Sequence, residues 1–205
     1  TITTQGDVLY RDGSGLQRLA KPASDKFLQN TSGGVLTWET VTGGALQTKI
    51  VTSDTQQSVA NNTPVTVTGL NMTFTPTASN SILVLEAMLN VSIPATSMGG
   101  FFYDNTNSKT IAVGSSSGSR QRLGFRNAYN NNASWCGNCY AMAYYPAPNT
   151  NATDFQIRVG IHGGNAGYMN RNQSNTDNSY IDEAYTASTF KITDKDKNNG
   201  KKYNI

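Results

Sequence analysis

Three groups of residues have types and spacings that could do chemistry. Trp135-Cys136-Gly137-Asn138-Cys139 places two thiols three positions apart, the spacing of redox-active dithiols. That chemistry needs a thiolate stabilised at a helix N-terminus. Here the run follows Asn130–Asn132 and leads into Tyr140-Ala141-Met142-Ala143-Tyr144-Tyr145, which is strand-like. A Gly-Asn pair between two strands is a two-residue hairpin turn. Such a turn would face the cysteines across a ladder, with Cα atoms ~5.5 Å apart and inside disulfide reach. Free or structural thiols, a local hairpin disulfide and redox catalysis are the three readings. Zinc is poorly served, because two Cys and one His fall short of four structural ligands.

His162 is the only histidine, so any Ser-His-Asp or Cys-His arrangement must use it. It ends an alternating strand on the polar face, just before Gly163-Gly164, as an exposed strand-end residue or as a ligand or pH sensor on a symmetry axis. The chain holds no Gly-x-Ser-x-Gly elbow, no phosphate loop, no His-Glu-x-x-His and no EF-hand loop. Glycoside hydrolysis needs two carboxylates flanking a sugar. The densest acid pair, Asp182-Glu183, is adjacent in sequence and on a strand would point to opposite faces. The expectation is a non-enzymatic protein with no cofactor and no metal.

The third group is recognition chemistry. Residues 127–132 and 164–180 are rich in Asn, Gly, Tyr and Arg, the composition of adaptable contact surfaces. Tyr129, Asn131, Tyr168, Arg171 and Tyr180 are the candidate receptor-contact residues on these loops. Solvated loops, or loops buried between subunits, are the plainer reading of the same residues.

These groups must be positioned by strands. Phe155, Ile157, Val159 and Ile161 alternate with Gln156, Arg158, Gly160 and His162, the period of a strand with one buried face. Leu85, Ala87, Leu89, Val91 and Ile93 do likewise. Shorter candidates are 48–53, 65–68, 71–75, 101–103, 110–113, 122–126, 139–145 and 190–193. Turn clusters separate several of them, and no convincing helix is present. Short strands without βαβ alternation predict an all-β fold, an antiparallel β-sandwich of jelly-roll form.

Composition narrows the classes further. Charged residues are 14% of the 205, against ~25% in typical soluble domains. Thr, Ser, Asn and Gly supply the polarity instead, as strands and turns require. The net charge of +3 is already supplied by residues 191–205, where Lys191, Lys195, Lys197, Lys201 and Lys202 outnumber Asp194 and Asp196. The rest of the chain is neutral, which argues against nucleic acid as a partner. No apolar run approaches the ~20 residues that span a bilayer, and no secretory signal opens the chain. Membrane insertion and export are not expected.

The opening stretch, TTQGDVLYRDGSGLQRLAKPASDKFLQNTSGGVLTWETV (residues 3–41), carries apolar side chains at spacings that match neither one long helix nor one long strand. So short a segment cannot bury a core of its own, so it must be covered by something else. Its GDVLYRDGSGLQRLA and FLQNTSGGVLTWE runs resemble the repeat near the N-termini of tailed-phage fibre proteins. PVTVTGLNMTFTPTASNSILVLEAMLNV, YAMAYYPAPNTNATDFQIRVGIHG and TASTFKIT resemble the C-terminal domain of phage fibre and virion-associated proteins. That domain is similar to the trimeric jelly rolls of the tumour-necrosis-factor and complement-globular type.

The resemblance implies a virion protein: a homotrimeric short fibre in which a mostly irregular N-terminal module (1–46) carries a sandwich head (47–193) and a basic tail (194–205). Its implied role is host attachment, with capsid decoration or a head fibre as the alternative and a secreted carbohydrate-binding module as a third. Tyr10, Arg11, Leu16, Leu19 and Trp38 are candidate docking residues toward symmetry mates or other tail or capsid proteins. Tyr203 and Ile205 would anchor the tail, and a host glycan or receptor would meet the loops.

Overall fold

The computed structural model describes residues 2–39, 45–60, 63–93, 97–127, 136–161, 166–175 and 185–195. It divides into two compact units, Thr1–Gly44 and Ala45–Ile205. All regular structure among the described residues is β-strand, paired antiparallel throughout.

The first unit is two small hairpins. β1 (Val8–Asp12) pairs with β2 (Gly15–Leu19), and β3 (Phe27–Asn30) pairs with β4 (Leu36–Glu39). Asp12 holds the first turn by accepting from the Ser14 and Gly15 amides at 2.8 and 3.1 Å, the usual role of Asp at a turn. Thr31 closes the second by accepting from Val35 N at its side chain and from Gly34 N at its carbonyl. The apolar spacing that suits no long element therefore suits four strands of four or five residues, with irregular chain between the hairpins.

The second unit is a two-layer sandwich. One layer is built on β5 (Ala45–Ser53), β15 (Ser188–Lys195), β8 (Ile82–Ser92) and β12 (Gly137–Pro146), with β14 (Gly167–Met169) and β6 (Gln57–Val59) extending it past β8. The other layer is built on β7 (Val65–Phe74), β13 (Thr153–Ile161) and β9 (Met98–Asp104), flanked by β10 (Lys109–Ile111) and β11 (Phe125–Asn127). Strand partners nest along the chain: β5 with β15, β7 with β13, β8 with β12, and β9 with β10 and β11. A long hairpin rolled across two layers gives that nesting, and it defines the jelly roll. Strand β15 continues through Lys195 and β5 begins at Ala45, so both ends of the sheet reach slightly beyond the expected limits of the head.

The core lies between the layers. Leu85, Ala87, Leu89 and Val91 from β8 meet Phe155, Ile157, Val159 and Ile161 from β13, all buried. Two aromatic pairs bridge the layers. Phe102 stacks on Phe190 at 5.7 Å, and Tyr145 meets Phe155 edge-on at 5.8 Å. The Phe190 ring stands on a rung with Ala87 and Ala141, whose small side chains make room for it. Strand β7 unites two predicted strands through Gly69 at φ +77°. A side chain there would lie 2.3 Å from Ser53 Oγ, so only glycine fits.

One buried polar group is fully held. Asp104 is solvent-inaccessible and accepts from Tyr145 OH at 2.7 Å, Asn107 N at 2.9 Å and Asn107 Nδ2 at 2.8 Å. Burial, then the bond to Asp104, pushes the Tyr145 phenol far above its ordinary range, so it donates at any working pH. Tyr145→Phe removes that donor from a buried carboxylate. The expected loss is about 1.5–3 kcal/mol of unfolding free energy, read by urea denaturation.

Candidate functional site

The two outer faces of the sandwich differ in kind. On the β7–β13–β9 layer, Arg158 lies 3.6 Å over the Tyr103 ring and donates to Gln156 and Asn105. Gln156 in turn accepts from Thr66. That face satisfies its own polar groups.

The β5–β15–β8–β12 face is more apolar. Register sets its outward residues in three rungs: Ile50–Lys191–Glu86–Met142, Thr52–Thr189–Met88–Tyr140 and Thr48–Thr193–Val84–Tyr144. Ile50, Met88, Tyr140, Met142 and Tyr144 are all exposed, Tyr140 at 61%. On β12 the usual order is inverted, because Ala141 and Ala143 point into the core while Tyr140, Met142 and Tyr144 point out. Exposed apolar side chains gathered on one sheet face make it a candidate interaction surface. Its polar centre is one ion pair, Lys191 Nζ to Glu86 at 2.5 Å, with Tyr140 OH donating to Glu86 at 2.9 Å. Burial pushes the Glu86 carboxyl up, but the Lys191 and Tyr140 hydrogen bonds and the lysine charge outweigh it and leave the group lowered.

In the first unit, none of the described residues 2–39 is buried. Leu16 is 72% exposed and Phe27 64%, with Leu9, Leu28 and Val35 also open to solvent. Tyr10 and Leu19 are half-buried on one face of the β1–β2 hairpin, and Arg11 and Leu16 lie on the other, exposed. Trp38 is half-buried and donates from Nε1 to the Ala20 carbonyl at 2.6 Å, tying the second hairpin to the end of the first.

Polar bonds hold this unit where apolar burial does not. Asp7 accepts from Arg18 Nε at 2.7 Å, from Thr4 N and Thr3 N, and from Lys21 N. The Arg18 bond, then the backbone donors, hold its carboxyl well below the usual range against the opposing effect of burial. A depressed folded pKa contributes stability that is complete above the unfolded value, about 4, and is lost as pH falls below it. Amide protection in β1 and β2 is therefore expected to drop as pH falls through that window. Asp7→Asn should show the lower protection already at pH 7, with little further acid dependence.

The cysteines are free. Gly137 and Asn138 do not turn; they pair with Val91 and Asn90 as part of β12. At ~3.3 Å per strand residue, Cys136 and Cys139 lie roughly 10 Å apart along the chain, beyond disulfide reach. The local turn signal was overridden by pairing to β8, which corrects the hairpin reading. Burial pushes both thiols up, with Arg171 partly opposing it at Cys136, so neither is poised as a thiolate.

Tyr168 is a strand residue rather than a loop residue, paired with Ser58 and Ser92 in β14. Arg171 follows that strand, its guanidinium 4.1 Å over the Tyr168 ring. Both are half-buried. Tyr129, Asn131, Tyr180, Tyr203, Ile205, His162 and Trp135 lie outside the described residues, as do Asp182 and Glu183. Sequence reasoning missed the outward face of β12. The signal was present in Tyr140-Ala141-Met142-Ala143-Tyr144, where large and small residues alternate.

No family model and no curated protein matches the chain. Among solved structures it is similar to infectious bursal disease virus, Gx strain, at 13% identity and TM-score 0.43, covering 91% of this chain and 40% of that one. A VP2 subviral particle of the same virus matches at 12% identity and TM-score 0.40, covering 90% and 40%. Its derived T=1 particles match at 13% and 0.42, covering 90% and 39%. The chain thus spans about two fifths of the length of these structures.

Proposed function

We propose that the chain is a non-enzymatic structural protein of a virion, a homotrimeric short fibre whose jelly-roll head serves host attachment. The observation that carries this is the first unit, in which none of the described residues is buried although leucines and a phenylalanine stand in its strands. Apolar side chains on a stretch without an interior are stabilised when neighbours cover them. The resemblance to fibre repeats supports symmetry mates as those neighbours. The exposed Tyr and Met face of β8 and β12 supplies a second self-association surface, on the head. Three-fold closure follows the resemblance to trimeric jelly rolls and satisfies every copy of a ring interface. Display is then multivalent, with weak sites acting together through effective concentration.

Light scattering on the full chain tests the assembly. The expected mass is about 66 kDa, three times 22.1 kDa. A mass of one chain at micromolar concentration would reject it.

A further inference from the structure

A cleft of about 610 Å³ opens at one end of the β7–β13–β9 layer. Across the strands there, Arg126 of β11 pairs with Gly99 of β9, and Gly99 pairs with Gly160 of β13. Two of the three positions on that rung carry no side chain, so the arginine borders bare backbone. The segment between β10 and β11 folds back over the gap. Leu123 covers Gly99 so closely that a Cβ at position 99 would lie 2.4 Å from Leu123 Cδ1 and 3.2 Å from the Phe125 carbonyl. Three bonds hold this wall: Gly124 N to Gly100 O at 2.8 Å, Gly114 N to Leu123 O at 3.2 Å and Arg122 Nε to Gly114 O at 2.6 Å. The same segment brings Ser119, Arg120 and Gln121 to the cleft, opposite Ser97 and Ile161.

The lining is chemically one-sided. Arg120 and Arg126 both face the cleft, and among the described residues no carboxylate and no aromatic ring lines it. The ion pairs among the described residues, Asp7–Arg18 and Glu86–Lys191, leave both arginines out. Arg126 Nη2 donates to Ser97 Oγ at 3.2 Å.

We propose that this cleft binds a sugar ring carrying an anionic group, a carboxylate or a phosphate. Its volume lies within the ~300–1,000 Å³ range of small-ligand sites. Guanidinium forks match planar and tetrahedral oxyanions. The serine hydroxyls and the Gln121 amide match ring hydroxyls, and Leu123 and Ile161 offer a surface to the C–H face of the ring. The purpose of such a site rests on the attachment reading above, whereas its ligand rests on the lining alone.

Titration calorimetry of the full chain with glucuronate, glucose 6-phosphate, glucose and inorganic phosphate tests it. At least one acidic sugar is expected to bind tenfold or more tightly than glucose, and more tightly than phosphate. Arg126→Ala and Arg120→Ala, each checked for an unchanged thermal melt, should weaken that binding at least tenfold. Preference for glucuronate would indicate a uronic-acid polysaccharide, and preference for the sugar phosphate a phosphorylated glycan; either supports the site. Glucose binding as tightly as both acidic sugars, phosphate binding as tightly as the better acidic sugar, no binding at all, or indifference to both arginine variants overturns it. A three-copy mass with no sugar binding would remove the cleft and leave the fibre standing. Sugar binding by a single-copy protein would do the reverse.

Discussion

Met142→Glu is expected to turn the assembled protein into single copies while the head stays folded. Met142 stands outward on β12, exposed in the isolated chain, beside Glu86 on the neighbouring strand. The fold loses little there, because the side chain contributes no core packing. An assembly that covers this face loses much more. Burying a methionine contributes about 1.5–3 kcal/mol, and a carboxylate placed beside Glu86 under a covering subunit adds repulsion and desolvation. A loss of about 4 kcal/mol per interface corresponds to roughly a thousandfold weaker association. Light scattering reads the mass, and circular dichroism checks the fold. Met142→Leu, apolar and of similar size, should leave the mass unchanged. If the glutamate variant keeps its full mass, the β8–β12 face is not where the copies meet.

Phe155→Ala is expected to cost about 3–5 kcal/mol of unfolding free energy, among the largest stability effects of single truncations in the head. Phe155 is solvent-inaccessible on β13 and meets Tyr145 of the opposite layer edge-on. Its loss opens a cavity between two sheets whose backbones are fixed by their ladders and cannot close over it. Domains of this size have about 5–15 kcal/mol in hand, so the variant should unfold at markedly lower denaturant. A loss below about 1 kcal/mol would mean that the layers are not joined through this ring. The same substitution at Phe101, which lies half-buried on the outer side of β9, should cost far less.

Much of the head was legible because its long strands are two-sided. Phe155–Ile161 alternates in sequence, and its inward residues are all buried, joined on the outward side only by Gly160. The three-residue strands β6 and β14 were not legible, since alternation over three residues is indistinguishable from chance. Residues 65–75 read as two strands because Gly69 interrupts the pattern, whereas the chain passes through it at positive φ as one. Gly137-Asn138 carries a strong local turn signal, yet ten residues of ladder with β8 outweigh it.

The candidate sites divide in the same way. The exposed apolar residues of the first unit were readable from their types, because they stand in a stretch too short to cover them. The cleft was not, since Ser97, Arg126 and Gly160 are brought together only by the β11–β9–β13 pairing.

Hydrogen exchange of the amides in β1–β4 across a dilution series is the most direct test of how the opening stretch is covered. Protection that is high at tens of micromolar and collapses on dilution, together with the mass, is the predicted result. Protection that stays constant while the protein runs as one 22.1 kDa copy would contradict it, because the chain would then be shielding those strands by itself.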